Sequence, residues 1–522
     1  MTAVVKPTLS STSASLPMLA QASTIDPLSL VQQDPLHIDF SAFPTALSDH
    51  ENLQCLTTHL LQFGAVESLN LSNTTAEAEV VDQLVRAAEA GGVSQLAHLS
   101  LCASRVHPLQ LEHLLKVLKT RAPLLTSLDV SGNNLGDTAV EALVQWIPAS
   151  LKSLRVSSNS FSAAAVTQLL QALAKANLPA LTELDLSGNK FDEKTCQALH
   201  VLLTTTEART SLKTLCLAHC GLDDASAPCV AEALHTSAVE VLDISENDCL
   251  LCFALELEAS RPISLPASLR VLSLADNPCR RTAVSGLAQS LRGCRDRLEG
   301  LFLSHTLMGD ASLAALLSGA GALPALRVLD LSHSGLTYRS GKVLSQQLPV
   351  ATQLEELRLA NNMLEVEGVM DFASGLERMC RLTYLDLSSC YLGNCGAVAV
   401  VTSLLRSCTP VECLDLSDNG INDAGFRDVC NLLSRLTCPK LRHLGVSKNA
   451  CTKDACSSLM EMMRGRQSAC HVVADETPLE ELASSSGSRN NNSPSPSSMT
   501  ISLQKCFSML KTNAKDEALR CP

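Results

Sequence analysis

One pattern, L-x-x-L-x-L-x-x-N-x-L, starts at residues 66, 96, 125, 151, 181, 212, 239, 269, 298, 326, 354, 382, 411 and 441. Successive starts lie 26 to 31 residues apart, so the fourteen units have a period close to 29. Repetition at that period implies coils that stack on one another rather than a set of unrelated domains. The ninth place tests the alignment most strictly. It reads Thr74, Ser104, Asn133, Asn159, Asn189, Cys220, Asn247, Asn277, Thr306, Ser334, Asn362, Cys390, Asn419 and Asn449. All are Asn, Cys, Ser or Thr, short side chains that can bond the bending backbone of adjacent coils.

Each unit continues into a helical pattern. In LGDTAVEALVQWIP, Asp137 is placed to cap a helix, Val140, Leu143, Val144 and Ile147 share a face, and Pro148 follows its end. The leucines before it alternate, as in a strand with one buried side. A strand-turn-helix coil of this kind cannot bury its own apolar face, so neighbours must cover it. Burying one leucine contributes roughly 1.5–3 kcal/mol, which offsets the ordering entropy only within a stack.

The 522 residues are 46% hydrophobic but only 3% aromatic, so the core must be aliphatic. Forty Lys and Arg against 53 Asp and Glu give a formal charge of −13, which argues against phosphate-backbone binding and therefore against a nucleic-acid partner. The 22 cysteines are scattered, as expected of reduced thiols in a cytoplasmic protein. No stretch approaches the roughly 18 apolar residues of a membrane span, and the first 30 residues, serine-rich and poor in acids, lack arginine and have prolines at 7 and 17 that break any apolar core, so a targeting peptide is not expected.

The expected organisation is a disordered segment over 1–34, an N-terminal cap over 35–65, the repeat array over 66–466, a flexible linker over 467–498 and a short amphipathic tail over 499–522. HIDF at 37–40 reads as a degenerate strand, and Ser48 with Glu51 has capping-box spacing before a helix. ASSSGSRNNNSPSPSS at 483–498 has linker composition, and its SPSP is a candidate phosphorylation segment. Beyond it Met499, Leu503, Phe507 and Leu510 fall on one helical stripe, readable as a frayed end or as a docking helix.

The in-phase units resemble leucine-rich repeats of the ribonuclease-inhibitor-like class over residues 35–465. The resemblance implies an α/β fold: a curved solenoid, or horseshoe, with a parallel β-sheet on its concave face and helices on its convex face. It also implies a non-enzymatic scaffold that binds another protein, with no cofactor. Function does not follow from the fold, however. Ran GTPase-activating protein is similar in architecture, and Arg105 in LCASRVHPLQLEHLL sits where that family places a catalytic arginine. Yet Ser104 stands where that family has glycine, and a Ser/Asn linker stands in place of that family's acidic tail. Axonemal relatives suggest, by analogy, a structural component of a cytoskeletal or flagellar assembly.

In such a coil places 3, 5 and 7 face the concavity. Place 7 is almost uniformly small, and place 5 carries an acidic ladder of Asp129, Asp185, Asp243, Asp330, Asp386 and Asp415. The exceptions are large: Arg155, Arg358 and Phe302 at place 5 and Tyr384 at place 3. In LEGLFLSHTLM, Phe302 replaces the aspartate of LTELDLSGNKF and LTYLDLSSCYL. Val241, Val271 and Val328 at place 3, with Gly300 between them, would join Phe302 in one patch, given strands about 4.8 Å apart. Such a patch could anchor a protein partner. Valine there also follows from β-propensity, leaving the patch half exposed.

Other chemistry is thin. Cys249 and Cys252 form a C-x-x-C with Cys279 one coil on, but no second pair has zinc spacing, so packed thiols are expected. His219, His305 and His333 recur at place 8 without a carboxylate or thiol partner, reading as surface residues. Phosphate-loop, nucleophile-elbow and zincin motifs are absent. No metal site is expected.

Overall fold

The computed structural model describes residues 36–455 and 471–473, apart from the segment 249–264 and interruptions of one to five residues. The expected tail, the segment 1–34, Ser48, Cys249, Cys252 and the expected linker apart from His471–Val473 lie outside the described residues. The chain divides into two compact units between Pro148 and Ala149.

The first unit contains strands β1 (His37–Asp39), β2 (Ser68–Asn70), β3 (His98–Ser100) and β4 (Ser127–Asp129), paired in that order and all parallel. Helices α1 (His50–Phe63), α2 (Ala78–Glu89), α3 (Pro108–Arg121) and α4 (Thr138–Trp146) follow one strand each. Residues 35–65, expected as a cap, thus supply β1 and α1. Helix α3 starts on a capping box, with His107 Nδ1 accepting from Leu109 N and Gln110 Oε1 accepting from His107 N. Helix α4 departs from the sequence reading. Asp137 makes no side-chain cap bond, and the buried face is Ala139, Val140, Ala142, Leu143 and Trp146, with Val144 and Ile147 half-buried. The Trp146 ring, the largest side chain of the helix, rotates the apolar stripe by about one position to bury itself.

The second unit continues the plan with twelve parallel strands in chain order, and β5 (Ser153–Arg155), β6 (Glu183–Asp185), β7 (Thr214–Cys216), β8 (Val241–Asp243), β9 (Val271–Ser273) and β10 (Gly300–Phe302) form its first half. The second half is β11 (Val328–Asp330), β12 (Glu356–Arg358), β13 (Tyr384–Asp386), β14 (Cys413–Asp415), β15 (His443–Gly445) and β16 (His471–Val473). The last strand, HVV, pairs with β15 beyond the point where the leucine pattern ends, because a ladder needs only backbone groups. Each strand is three residues long, and from β1 to β15 its middle residue, a leucine from β2 onward, is buried on the helix side. In this unit a described helix lies between successive strands from β5 to β8 and from β9 to β15, in the sense that parallel pairing requires.

Place 9 holds adjacent coils together. Asn189 Nδ2 donates to Val156 O at 3.0 Å and Leu186 O at 3.0 Å, while its Oδ1 accepts from Asn159 N and Phe161 N. Asn133, Asn247, Asn362 and Asn449 repeat the arrangement. Ser104, Ser334 and Cys390 keep the bond to a carbonyl of the preceding coil, Leu71 O, Leu303 O and Leu359 O respectively. The residue before place 9 is left-handed in every unit, from Asn73 to Lys448, although only Gly132 and Gly188 are glycines. That turn lets the side chain at place 9 point inward, and non-glycine residues accept it at a cost of about 1–2 kcal/mol.

Candidate functional site

Strand residues flanking each middle leucine point away from the helices. On this face the structure accounts for the acidic ladder. Asp129, Asp185, Asp243, Asp330, Asp386 and Asp415 each accept, through Oδ1, the backbone N–H two residues ahead, at 2.9–3.0 Å. These bonds end the strand and start the turn, so the aspartates serve the coil itself. Burial raises the carboxyl pKa of Asp185, Asp243 and Asp386, and hydrogen bonds from the following serine pull it partly back.

Phe302, Arg155 and Arg358 occupy the same place and forgo that bond. The in-register ladder sets Gly300 between Val271 and Val328, Val241 beside Val271, and Phe302 beside Ser273 and Asp330. Four of the predicted residues, Val241, Val271, Phe302 and Val328, therefore meet on adjacent strands. Gly300 and Ser273 are small, which leaves room for the ring.

Arg358 lies one strand from Asp330 and two from Phe302. Its guanidinium stands 5.1 Å from the Tyr384 ring centroid and 3.5 Å from the Glu356 carboxylate. Burial, followed by the Asp386 charge, drives the Tyr384 phenol well above its usual range. Arg155 is apart from this group, five ladder steps from β10. Its Nε donates to Glu183 Oε1 at 2.8 Å on the neighbouring strand, and Ser153 Oγ donates to Glu183 Oε2.

The face is not uniform in exposure. Both flanking residues are half-buried in β5, β6, β7, β13 and β14. In β8 to β12 every one is buried. Phe302 is 0% exposed, Val241 and Val271 2%, Asp330 2% and Val328 3%.

A feature that the sequence reading missed borders the patch. At place 2, Lys213, Glu240, Arg270, Glu299, Arg327 and Glu355 alternate in sign along the strand starts. Lys213 Nζ is 2.9 Å from Glu240, Arg270 is 2.6 Å from Glu299 and 3.9 Å from Glu240, and Arg327 is 2.8 Å from Glu355. The signal was present in the sequence, at a place read only for its flanking leucines.

The remaining chemistry is structural. Cys220 and Cys390 are pushed by burial up to about 12, and Cys279 and Cys294 up to about 11, so these thiols are not nucleophiles at neutral pH. Cys279, expected inside, is half-buried. Among the described residues no three His, Cys, Asp or Glu gather closely enough to hold a metal ion. His305 and His333 stack with ring centroids 4.0 Å apart, and burial followed by the His305 charge lowers the His333 pKa. Arg105 is exposed in a left-handed turn, and Ser104 bonds Leu71 O. No described helix is long and apolar enough to cross a membrane.

Comparison with known proteins agrees with this architecture. A family model described as Leucine Rich repeat matches residues 122–144 and 407–430. Ribonuclease inhibitor of Sus scrofa is 32% identical over 43% of this chain and 50% of its own length, so the chain spans half of that relative. Ribonuclease inhibitor of Mus musculus is 28% identical over 66% of this chain and 75% of its own length. NACHT, LRR and PYD domains-containing protein 3 of Macaca mulatta is 30% identical over 54% of this chain and 27% of its own length. Period, coil geometry and relatives together make the chain a leucine-rich repeat protein of the ribonuclease-inhibitor-like class.

Proposed function

We propose that the chain is a non-enzymatic, cytoplasmic scaffold that binds a protein partner on the sheet face away from the helices. The single observation that carries this reading is Phe302. At its place six coils use an aspartate to close the turn, and this coil gives up that bond for an aromatic ring among Val241, Val271 and Val328. The stack gains no helix-side packing from such a residue, whereas buried aromatics dominate the energetics of protein interfaces. Arg358 with Tyr384 forms a second, polar anchor at the margin of the patch, and Arg155 lies farther along the same face.

Proximity labelling in the native cell tests the reading, comparing the full chain with Phe302→Asp. The expected result is loss of specific neighbours from the labelled set, with the thermal unfolding transition retained. An unchanged set at equal folded protein would sink the proposal. The Arg105→Ala variant provides a control, because a scaffold retains its neighbours and a GTPase-directed enzyme loses GTP-hydrolysis stimulation.

A further inference from the structure

Place 10 of the unit, in the turn between strand and helix, is exposed wherever it is described. Outside the coils of β9 to β13 its described residues are Arg105, Asn134, Ser160, Lys190 and Asp248, or else a glycine or an alanine. All are polar or small. The coils of β9 to β13 instead carry Pro278, Leu307, Gly335, Met363 and Tyr391, with Leu307 74%, Met363 55% and Tyr391 66% exposed. Single exposed leucines are ordinary, but a row of large apolar groups on neighbouring coils is not.

Backbone conformation sets the row further apart. Leu307 and Tyr391 are left-handed, with φ of 51° and 60°, at a place where the coils of β7, β11 and β14 use Gly221, Gly335 and Gly420. A bulky side chain strains that conformation, and here it also stands in water, so neither residue serves the stack. The turns keep step from coil to coil: Gly309 N donates to Ser334 O at 2.9 Å, Met363 N to Leu336 O at 2.8 Å and Glu365 N to Cys390 O at 3.0 Å. Leu307 and Tyr391 thus lie three ladder steps apart, or about 14 Å. Between Leu307 and Met363, Gly335 leaves a notch, with no atom within 4 Å of where a Cβ would stand.

We propose that Leu307, Met363 and Tyr391 form a docking ridge for a protein segment that presents apolar side chains flanked by lysine or arginine. The apolar groups would pack on the ridge and enter the notch at Gly335. Charge supplies the rest of the description. In the turns 305–311, 333–339, 361–367 and 389–395 the charged residues are Asp310, Glu365 and Glu367 against Arg339, whose guanidinium lies 5.7 Å from the Tyr338 ring centroid. Asp276 and Asp418 stand on the coils to either side.

An acidic border attracts a basic partner and repels both an anionic membrane and a second copy of this chain, whose formal charge is −13. The ridge lies on the turns, whereas the Phe302 patch lies on the strands. It therefore stands without the partner reading proposed for that patch.

The test selects phage-displayed random peptides on the purified full chain. Enriched peptides should combine Leu, Phe or Trp with Lys or Arg, and Leu307→Gly and Tyr391→Gly should each weaken their binding by about tenfold. Both variants should keep the thermal midpoint, because glycine takes the left-handed turn without strain. Glu365→Gln with Glu367→Gln should weaken the same peptides and reduce the salt dependence of their binding. Enrichment of no peptide, or of peptides without basic residues, would overturn the proposal. So would peptides that lose binding on Phe302→Asp and keep it on the glycine variants, or a drop in the midpoint of those variants, which would make the side chains structural. Capture by phosphatidylserine vesicles, or self-association in sedimentation, that the glycine variants abolish would also overturn it by assigning the ridge to a different occupant.

Discussion

Strands β5–β7 and β8–β12 are built from one repeat, share one core and differ on one face. Behind both stretches the middle leucines are fully buried, and asparagines such as Asn189 and Asn247 make the same bonds between coils. On the other face β5–β7 carries Arg155 paired to Glu183, half in water, while β8–β12 carries Phe302 and valines that are all buried. The difference shows that this repeat separates two tasks. Places 1, 4, 6 and 9 build the stack, and places 3 and 5 can be rewritten without disturbing it, because alternate side chains of a strand face opposite ways.

The comparison can be broken first at its shared half. Asn189→Ala and Asn247→Ala each strand buried amides and carbonyls in two coils, which should cost roughly 2–4 kcal/mol, equally in both stretches, by urea unfolding. Unequal costs would mean that the cores differ. Phe302→Ala should come next, at about 1.5–3 kcal/mol for lost apolar burial, against less than about 0.5 kcal/mol for the half-exposed Thr214→Ala. Equal effects would show that the closed face contributes nothing to stability.

Arg155→Ala should cost at most about 1 kcal/mol and less at high salt, since the Glu183 pair is partly solvated. Arg358→Ala should cost more and depend less on salt, because it leaves Glu356 buried without its guanidinium.

Smaller again is the pH response of Asp243. Burial raises its carboxyl above 3.8, so the folded state holds its proton longer than the unfolded chain does. Its stabilising contribution is complete below about 3.8 and is lost as pH rises through the raised pKa. Asp243→Asn should therefore match wild type in acid and equal or exceed it at pH 7 in thermal melts. His333 has the opposite dependence on pH. Its lowered pKa means stability present above 6.5 and lost as pH falls, a slight effect that His305→Gln should reduce.

Much of this was legible in the sequence. Leucine spacing and the short polar residue at place 9 identified the coils, since a buried position tolerates few residue types. The phase also put Phe302, Val241, Val271 and Val328 on one face. The acidic ladder was harder to read: only the bonds from Asp to the N–H two residues on show that it serves the turns. The left-handed turn before place 9 left no signal, because twelve of the fourteen residues there are not glycine. The phase of α4 was misjudged because spacing alone does not weigh Trp146 above Val144.

The sequence by itself determined the period, the strand-turn-helix coil and which residues share a face, all of which follow from local geometry repeated every 29 residues or so. Tertiary structure alone decided which part of that face is open and which is closed. Side chains that neighbour one another on that face come from successive coils, about 29 positions apart in the chain, beyond the reach of any local pattern.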